Sequence, residues 1–247
     1  MDNSTDLVRS VFENPDRYLS RRAFDVRIRA ETVRELVRLP DDARILDIGC
    51  GDGSISLPLV SEKNRITLLD VSTNMLSIAT SKIPAGFSAN VEIINKDFME
   101  VTFSPKSFDL ILCIGLLVHV PSHADFIAKM VGLLKPTGSI IVECTDASHF
   151  VGDLLTPIYR IKSLFRRSRA PLNPVVHSEI VKILAHHGLS PRKTFRYSQP
   201  LPGLHRVFSQ ENLYRLNRGV FGTLQANRNK WLGNEYITLF SRNQCVR

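Results

Sequence analysis

Between residues 44 and 145, short apolar runs alternate with stretches whose apolar residues recur at helical spacing. Arg44–Ile48, Arg65–Asp70, Val91–Asn95, Phe108–Ile114 and Gly138–Cys144 are near-continuous apolar runs of strand length, without polar alternation. Strands buried on both faces carry that pattern, as in a parallel sheet covered by helices. Ser54–Ser61, Asn74–Lys82 and His123–Leu134 supply the intervening helices, and the last of them stops at Lys135-Pro136-Thr137-Gly138. Strand–helix alternation of this kind predicts βαβ units and a doubly wound α/β sheet.

The flanks differ. Upstream, Val26, Ala30, Val33, Leu36 and Val37 make a helical stripe over 23–39 that stops before Pro40. Downstream, Phe150, Val151, Leu154, Leu155, Ile158, Ile161, Leu164 and Phe165 form one stripe opposite Thr156, Arg160, Ser163 and Arg167, with Pro157 kinking or restarting the helix. A further helix is expected over Ser178–His187, capped by Ser178 and ended by Gly188. Arg192–Ser198 and Glu235–Ser241 read as two last strands, and the roughly 35 residues between them exceed a hairpin turn and call for more helix.

Composition adds limits. With 43% apolar and 23% charged residues in 247, the chain can build a core without disulfide staples. Cys50, Cys113, Cys144 and Cys245 have no paired or zinc-like spacing, which reads as reduced thiols and a cytoplasmic setting. The polar N-terminus lacks a secretory signal pattern, and the longest apolar run, Leu110–Val118, is far shorter than the ~20 residues of a membrane span. A formal charge of +8 favours anionic partners without choosing among nucleic acid, lipid surface and acidic metabolite.

The chemistry concentrates after the first strand, where Asp47-Ile48 runs into Gly49-Cys50-Gly51-Asp52-Gly53. Glycines permit sharp turns and close approach of backbone to a ligand. Asp70 ends the next strand, 19 positions past Gly51, where a carboxylate can accept both ribose hydroxyl hydrogens of an adenosine ligand. The spacing is G-x-G-x-G, unlike the dinucleotide G-x-G-x-x-G, and Asp47 and Asp52 would repel a pyrophosphate while suiting an ammonium and a sulfonium. S-adenosylmethionine is therefore favoured over NAD.

These residues resemble the class I S-adenosylmethionine-dependent methyltransferases, over about 40–145, and in particular their small-molecule, ubiquinone-biosynthesis-type branch. The resemblance implies a mostly parallel, Rossmann-like seven-stranded sheet with an antiparallel last strand and helical insertions. It implies one domain, with a helical cap at 1–40, a cofactor-binding core at 41–145, and acceptor-side helices with the last two strands at 146–247. It places Asp47, Gly49, Cys50, Gly51, Gly53, Asp70, Val71, Ser72, Met75 and Ile114 about the cofactor. Lys96-Asp97-Phe98 is similar to the loop after strand three, where Asp97 would bond the adenine amino group and Phe98 would pack on the ring.

The acceptor is narrowed by what is missing. Ile114-Gly115-Leu116-Leu117 replaces both the Asn/Asp-Pro-Pro box of N-methylating relatives and the acid of metal-dependent ones, so no metal is expected. Cys113 lies inside a strand and lacks the adjoining proline of RNA cytosine-5 enzymes. A small-molecule acceptor, O-methylated in preference to N-methylated, is the expectation; an RNA methyltransferase and a non-catalytic cofactor-binding module are the rivals. His119, before Val120-Pro121, has two readings: a base that takes a hydroxyl proton, or a locally bonded structural histidine. Asp146 would orient an acceptor or cap a following helix. Tyr18 and Arg22 would close over the methionine end or face water, and His177, His186, His187 and His205 read as surface positions. The basic amphipathic segment 150–169 allows a packed helix, a lid, or a contact with anionic membrane.

Overall fold

The computed structural model describes residues 15–150, 173–199, 204 and 207–243, with side chains from Arg22 onward. One seven-stranded sheet organises them, in the order β3-β2-β1-β4-β5-β7-β6. Its strands are β1 (Ala43–Ile48), β2 (Asn64–Asp70), β3 (Val91–Asn95), β4 (Phe108–Ile114), β5 (Leu134–Thr145), β6 (Leu189–Tyr197) and β7 (Glu235–Arg242). β1 to β5 pair in parallel, and β7 runs antiparallel between β5 and β6. The helices are α1 (Pro15–Leu36), α2 (Thr73–Ser81), α3 (His123–Leu133), α4 (His177–His186) and α5 (Gln210–Phe221).

Alternate residues of each strand bury into opposite faces, as the pleat requires. Leu46, Ile48, Ile111, Cys113, Ile140 and Val142 pack with Phe126, Ile127 and Met130 of α3 and with Ile180 and Leu184 of α4. Ile45, Leu110, Leu112 and Ile141 pack with Phe24, Ile28 and Val33 of α1, with Leu76 and Ala79 of α2, and with Leu213 and Phe221 of α5. The strand order reverses between β1 and β4. In open α/β sheets the ligand crevice lies outside the carboxyl ends of the strands at such a reversal, and here Gly49 and Gly115 follow those two strands.

Three local expectations fail for identifiable reasons. No α-helix follows the glycine loop: residues 54–56 form turns and Leu57–Leu59 a 3-10 turn with Pro58 at its start, and Val60 is already extended. Ser178 does not cap α4, which begins at His177 after Val176 with no side-chain cap. β5 begins at Leu134, earlier than the glycine suggests, because Lys135–Gly138 is a bulge against β4, whose register shifts between Phe108 and Leu110. The segment 151–172, Cys245 and the side chain of Tyr18 lie outside the described residues, as does His205. Among the described residues, no helix is long and apolar enough to cross a membrane.

Candidate active site

The glycine loop turns over the end of β1 by hanging on β2: the Gly49 and Cys50 amides both donate to the Leu69 carbonyl, at 2.8 and 3.1 Å. Gly49, Gly51 and Gly53 have φ of 69°, 54° and 73°, in the left-handed region that favours glycine. Their surroundings differ. A Cβ on Gly49 would sit 3.1 Å from the Leu116 side chain, and one on Gly53 2.7 Å from Leu57 Cδ1. Around Gly51 no atom lies within 4 Å of that position, so this residue opens onto free space at the strand ends.

Three carboxylates surround the loop, and they are not equivalent. Asp70 accepts the Gly51 amide at 2.8 Å through Oδ2 and the Ser72 amide at 2.8 Å through Oδ1. Burial raises its pKa and these amides oppose the rise. Asp52 is neutralised within the fold, held by the Lys82 ammonium at the end of α2 and by the Ser54 hydroxyl at 2.8 Å. It therefore does not contribute the ligand-facing charge expected of it. Asp47 is 1% exposed, and its Oδ2 has no hydrogen-bond partner among the described residues. Burial pushes its pKa up to about 7, repulsion from Asp70 and Asp52 adds to this, and the Ser56 hydroxyl opposes it.

The remaining cofactor-side residues flank this centre. Ser72 caps α2, its hydroxyl accepting the Met75 amide at 3.3 Å, and Met75 is buried at the root of that helix. Val71 lies between Asp70 and Ser72, half-buried. Cys50 is buried and its thiol pKa raised by that burial. After β3, Asp97 Oδ1 accepts the Met99 amide at 2.8 Å. The Phe98 ring is buried against Phe126, centroids 4.8 Å apart, while Met99 is the exposed apolar side chain of that loop.

On the β4 side, Ile114 is half-buried and Gly115 has φ of 71°. A Cβ there would lie 3.4 Å from both Arg29 Nη1 and Glu143 Oε2, heads of a buried cluster that sequence reasoning missed. Arg29 donates to Glu143 Oε1 through Nη2 at 2.7 Å and Nε at 3.0 Å, and Tyr197 donates to Asp25 Oδ1 at 2.7 Å. Burial raises the Glu143 pKa against the pull of Arg29. The buried face of α1 is thus Phe24, Asp25, Ile28, Arg29, Thr32, Val33 and Leu36, rotated from the stripe of Val26 and Ala30. A lone Glu143 in the apolar run Ile140–Cys144 was the available signal. Arg22 is paired to Asp25 at 3.5 Å.

His119 ends a 3-10 turn (Leu117–His119) just past β4, half-buried, and desolvation lowers its pKa below the usual histidine value. Asp146 caps a turn, Oδ1 accepting the Ser148 amide at 3.0 Å and hydroxyl at 2.7 Å. His177, expected at the surface, is half-buried, stacked on Tyr236 at 4.0 Å and bonded to Thr238 Oγ1 at 3.2 Å.

Comparison with known proteins agrees with this geometry. Residues 45–138 match the methyltransferase domain family. A demethylmenaquinone methyltransferase of Listeria welshimeri is 32% identical over 126 residues, 50% of this chain and 52% of that one. The chain thus spans about half the length of the curated relatives it matches. Among solved structures, an S-adenosylmethionine-dependent methyltransferase of Thermotoga maritima superposes with TM-score 0.68 at 15% identity, over 98% of this chain and 100% of that one. The magnesium protoporphyrin IX methyltransferase of Synechocystis, with bound S-adenosylhomocysteine, gives TM-score 0.66 at 19% identity over 98% and 100%. Sheet order and glycine loop are thus those of the solved methyltransferases it superposes on, and residues 45–138 are similar to the methyltransferase domain family.

Proposed function

We propose that this protein transfers a methyl group from S-adenosylmethionine to a small molecule, at a hydroxyl in preference to an amine. The observation that carries the reading is the cradle at the β1–β4 reversal. Gly51 leaves open space there, with the Asp70 carboxylate at its amide and the unpartnered oxygen of Asp47 at its root. A buried carboxylate near neutrality is held ready for a cation, which fits an ammonium and sulfonium ligand and opposes a pyrophosphate.

Bound there, S-adenosylmethionine supplies an electrophilic methyl carbon on its sulfonium. The chain's own work is positioning and proton handling. Asp70, already fixed by two backbone amides, accepts from the ribose hydroxyls. Asp97 accepts from the adenine amino group. Gly115 turns the chain after β4 with a left-handed φ of 71° and leaves the Arg29 and Glu143 heads uncrowded. His119, whose pKa burial lowers, takes the hydroxyl proton as the new bond forms. The demethylmenaquinone relatives support a small, ring-containing acceptor. Purified protein incubated with methyl-labelled S-adenosylmethionine and a panel of quinols, phenols and amines tests this. Label on a hydroxyl oxygen is the expected result, and label confined to ring carbons, to amines or to RNA would overturn it.

A further inference from the structure

The loop after β3 has no regular backbone pairing of its own, yet it carries Asp97. One side chain of the neighbouring helix ties its backbone down. Lys129 of α3 donates to three successive parts of that loop: Phe98 O at 2.6 Å, Met99 O at 3.0 Å and Val101 O at 2.7 Å. An ammonium has three N–H donors and no acceptor, so this set saturates it. The same nitrogen lies 4.9 Å from the centre of the Phe98 ring, and that ring is packed on Phe126, three residues before Lys129 on the same helix. One turn of α3 therefore grips the loop through its carbonyls and its one buried ring. Within the loop, the Met99 amide donates to Asp97 Oδ1 at 2.8 Å and the Glu100 amide to Asp97 O at 3.1 Å.

We infer that Lys129 is a positioning residue for recognition of the cofactor's base: it fixes the Phe98–Val101 backbone and, through it, the Asp97 carboxylate that selects adenine. This rests on the proposed reading of Asp97. Three carbonyls converging on one point repel one another, so they hold this arrangement only with a cation between them. Replacing Lys129 by Met keeps the length and apolar stem and removes all three donors. The loop then turns some carbonyls outward to water, and Asp97, bonded within the same turn, loses its fixed place. Generic loss of stability would weaken every adenosine ligand alike. Loss of Asp97 placement weakens adenine selectively.

The test measures dissociation constants of S-adenosylhomocysteine and of its inosine counterpart, in which the amino group is a carbonyl, for wild type, Lys129→Met, Lys129→Gln and Asp97→Asn. Wild type is expected to favour the adenine ligand by about 100-fold, the range of a charged hydrogen bond lost to a repulsive contact. Lys129→Met should reduce that preference at least tenfold, toward the Asp97→Asn value, and Lys129→Gln, which keeps an NH2 donor, should fall between. Should Lys129→Met fail to fold, the Lys129→Gln ratio decides. An unchanged ratio in the folded lysine variants overturns the inference, as does a wild type that binds without base preference. A wild type that binds neither ligand overturns the functional reading itself.

Discussion

Substituting alanine at Gly51 and at Gly86 separates a folding cost from a binding cost. Both glycines have positive φ, 54° and 87°, and at both an added Cβ meets nothing within 4 Å. The unliganded fold therefore resists each change only through the left-handed backbone, at about 1 kcal/mol or somewhat more. In a domain of this size that lowers the melting temperature by roughly 2–4 °C per kcal/mol. Gly86 lies in the turn before β3, outside the crevice, whereas Gly51 faces the space assigned to the cofactor. A methyl group projecting into that space must push the ligand off its hydrogen bonds, weakening it by at least about tenfold, or 1.4 kcal/mol. Calorimetric titration with S-adenosylhomocysteine, alongside thermal melts, should show two similarly destabilised variants of which only Gly51→Ala binds poorly. Gly53→Ala is unsuitable for this purpose, because its Cβ would strike Leu57 Cδ1 at 2.7 Å and confuse the two costs. If Gly51→Ala binds as tightly as Gly86→Ala, the ligand does not lie over Gly51 and the assignment of the cradle is wrong.

Asp47 should leave a pH signature. Its folded pKa is raised to about 7, so folding takes up a proton between about pH 4 and 7 and the stability this gives is lost as pH rises through 7. Unfolding free energies from urea titrations should fall further between pH 5 and pH 8 for wild type than for Asp47→Asn, by on the order of 2–3 kcal/mol; equal falls would contradict the burial argument. Cofactor affinity should strengthen up to about pH 7 and then level off in wild type, and lose that dependence in Asp47→Asn, as read by titration across pH. Arg29→Met strands Glu143 and Asp25 without their buried cation and should cost about 3–5 kcal/mol by denaturant unfolding, part of it recovered in the double variant with Glu143→Gln. His119→Ala should lower turnover by roughly 10²-fold or more while leaving S-adenosylhomocysteine affinity unchanged, and undiminished turnover would remove the imidazole from the mechanism.

What the sequence disclosed was what local interactions decide. The β1 run, the glycine loop and Asp70 lie within 28 residues, from Ala43 to Asp70, and their apolar continuity and spacing carry the geometry directly. The helix expected over Ser54–Ser61 was misplaced because Pro58 and the two leucines beside it support only a 3-10 turn before the chain must extend to reach β2. The face of α1 was misjudged for a different reason. Asp25 and Arg29 look solvent-facing until Glu143, 114 residues beyond Arg29, arrives from β5 to make the pair burial requires. Lys82 likewise silences Asp52 across 30 residues, and periodicity holds no trace of that contact. Polar groups buried by partners distant in sequence are the class that pattern reading loses, since their exposure is the default expectation.

These long-range pairs also sharpen how the site distinguishes its ligand. Read from the chain alone, Asp47 and Asp52 count as two charges facing the cofactor, and either would explain rejection of a pyrophosphate. In the fold Asp52 has its own cation in Lys82, Asp70 has two amides, and Glu143 and Asp25 share Arg29. Each of these carboxylates is compensated before any ligand arrives. Asp47, almost wholly buried, keeps an oxygen without a donor among the described residues. Leaving it ionised costs free energy, so burial pushes its pKa up to about 7, and a cation seated beside it would favour the ionised form. On the proposed reading, ligand charge would be sensed at that one buried oxygen. A cationic methionine end gains what Asp47 lacks, whereas a pyrophosphate would add negative charge where none is compensated.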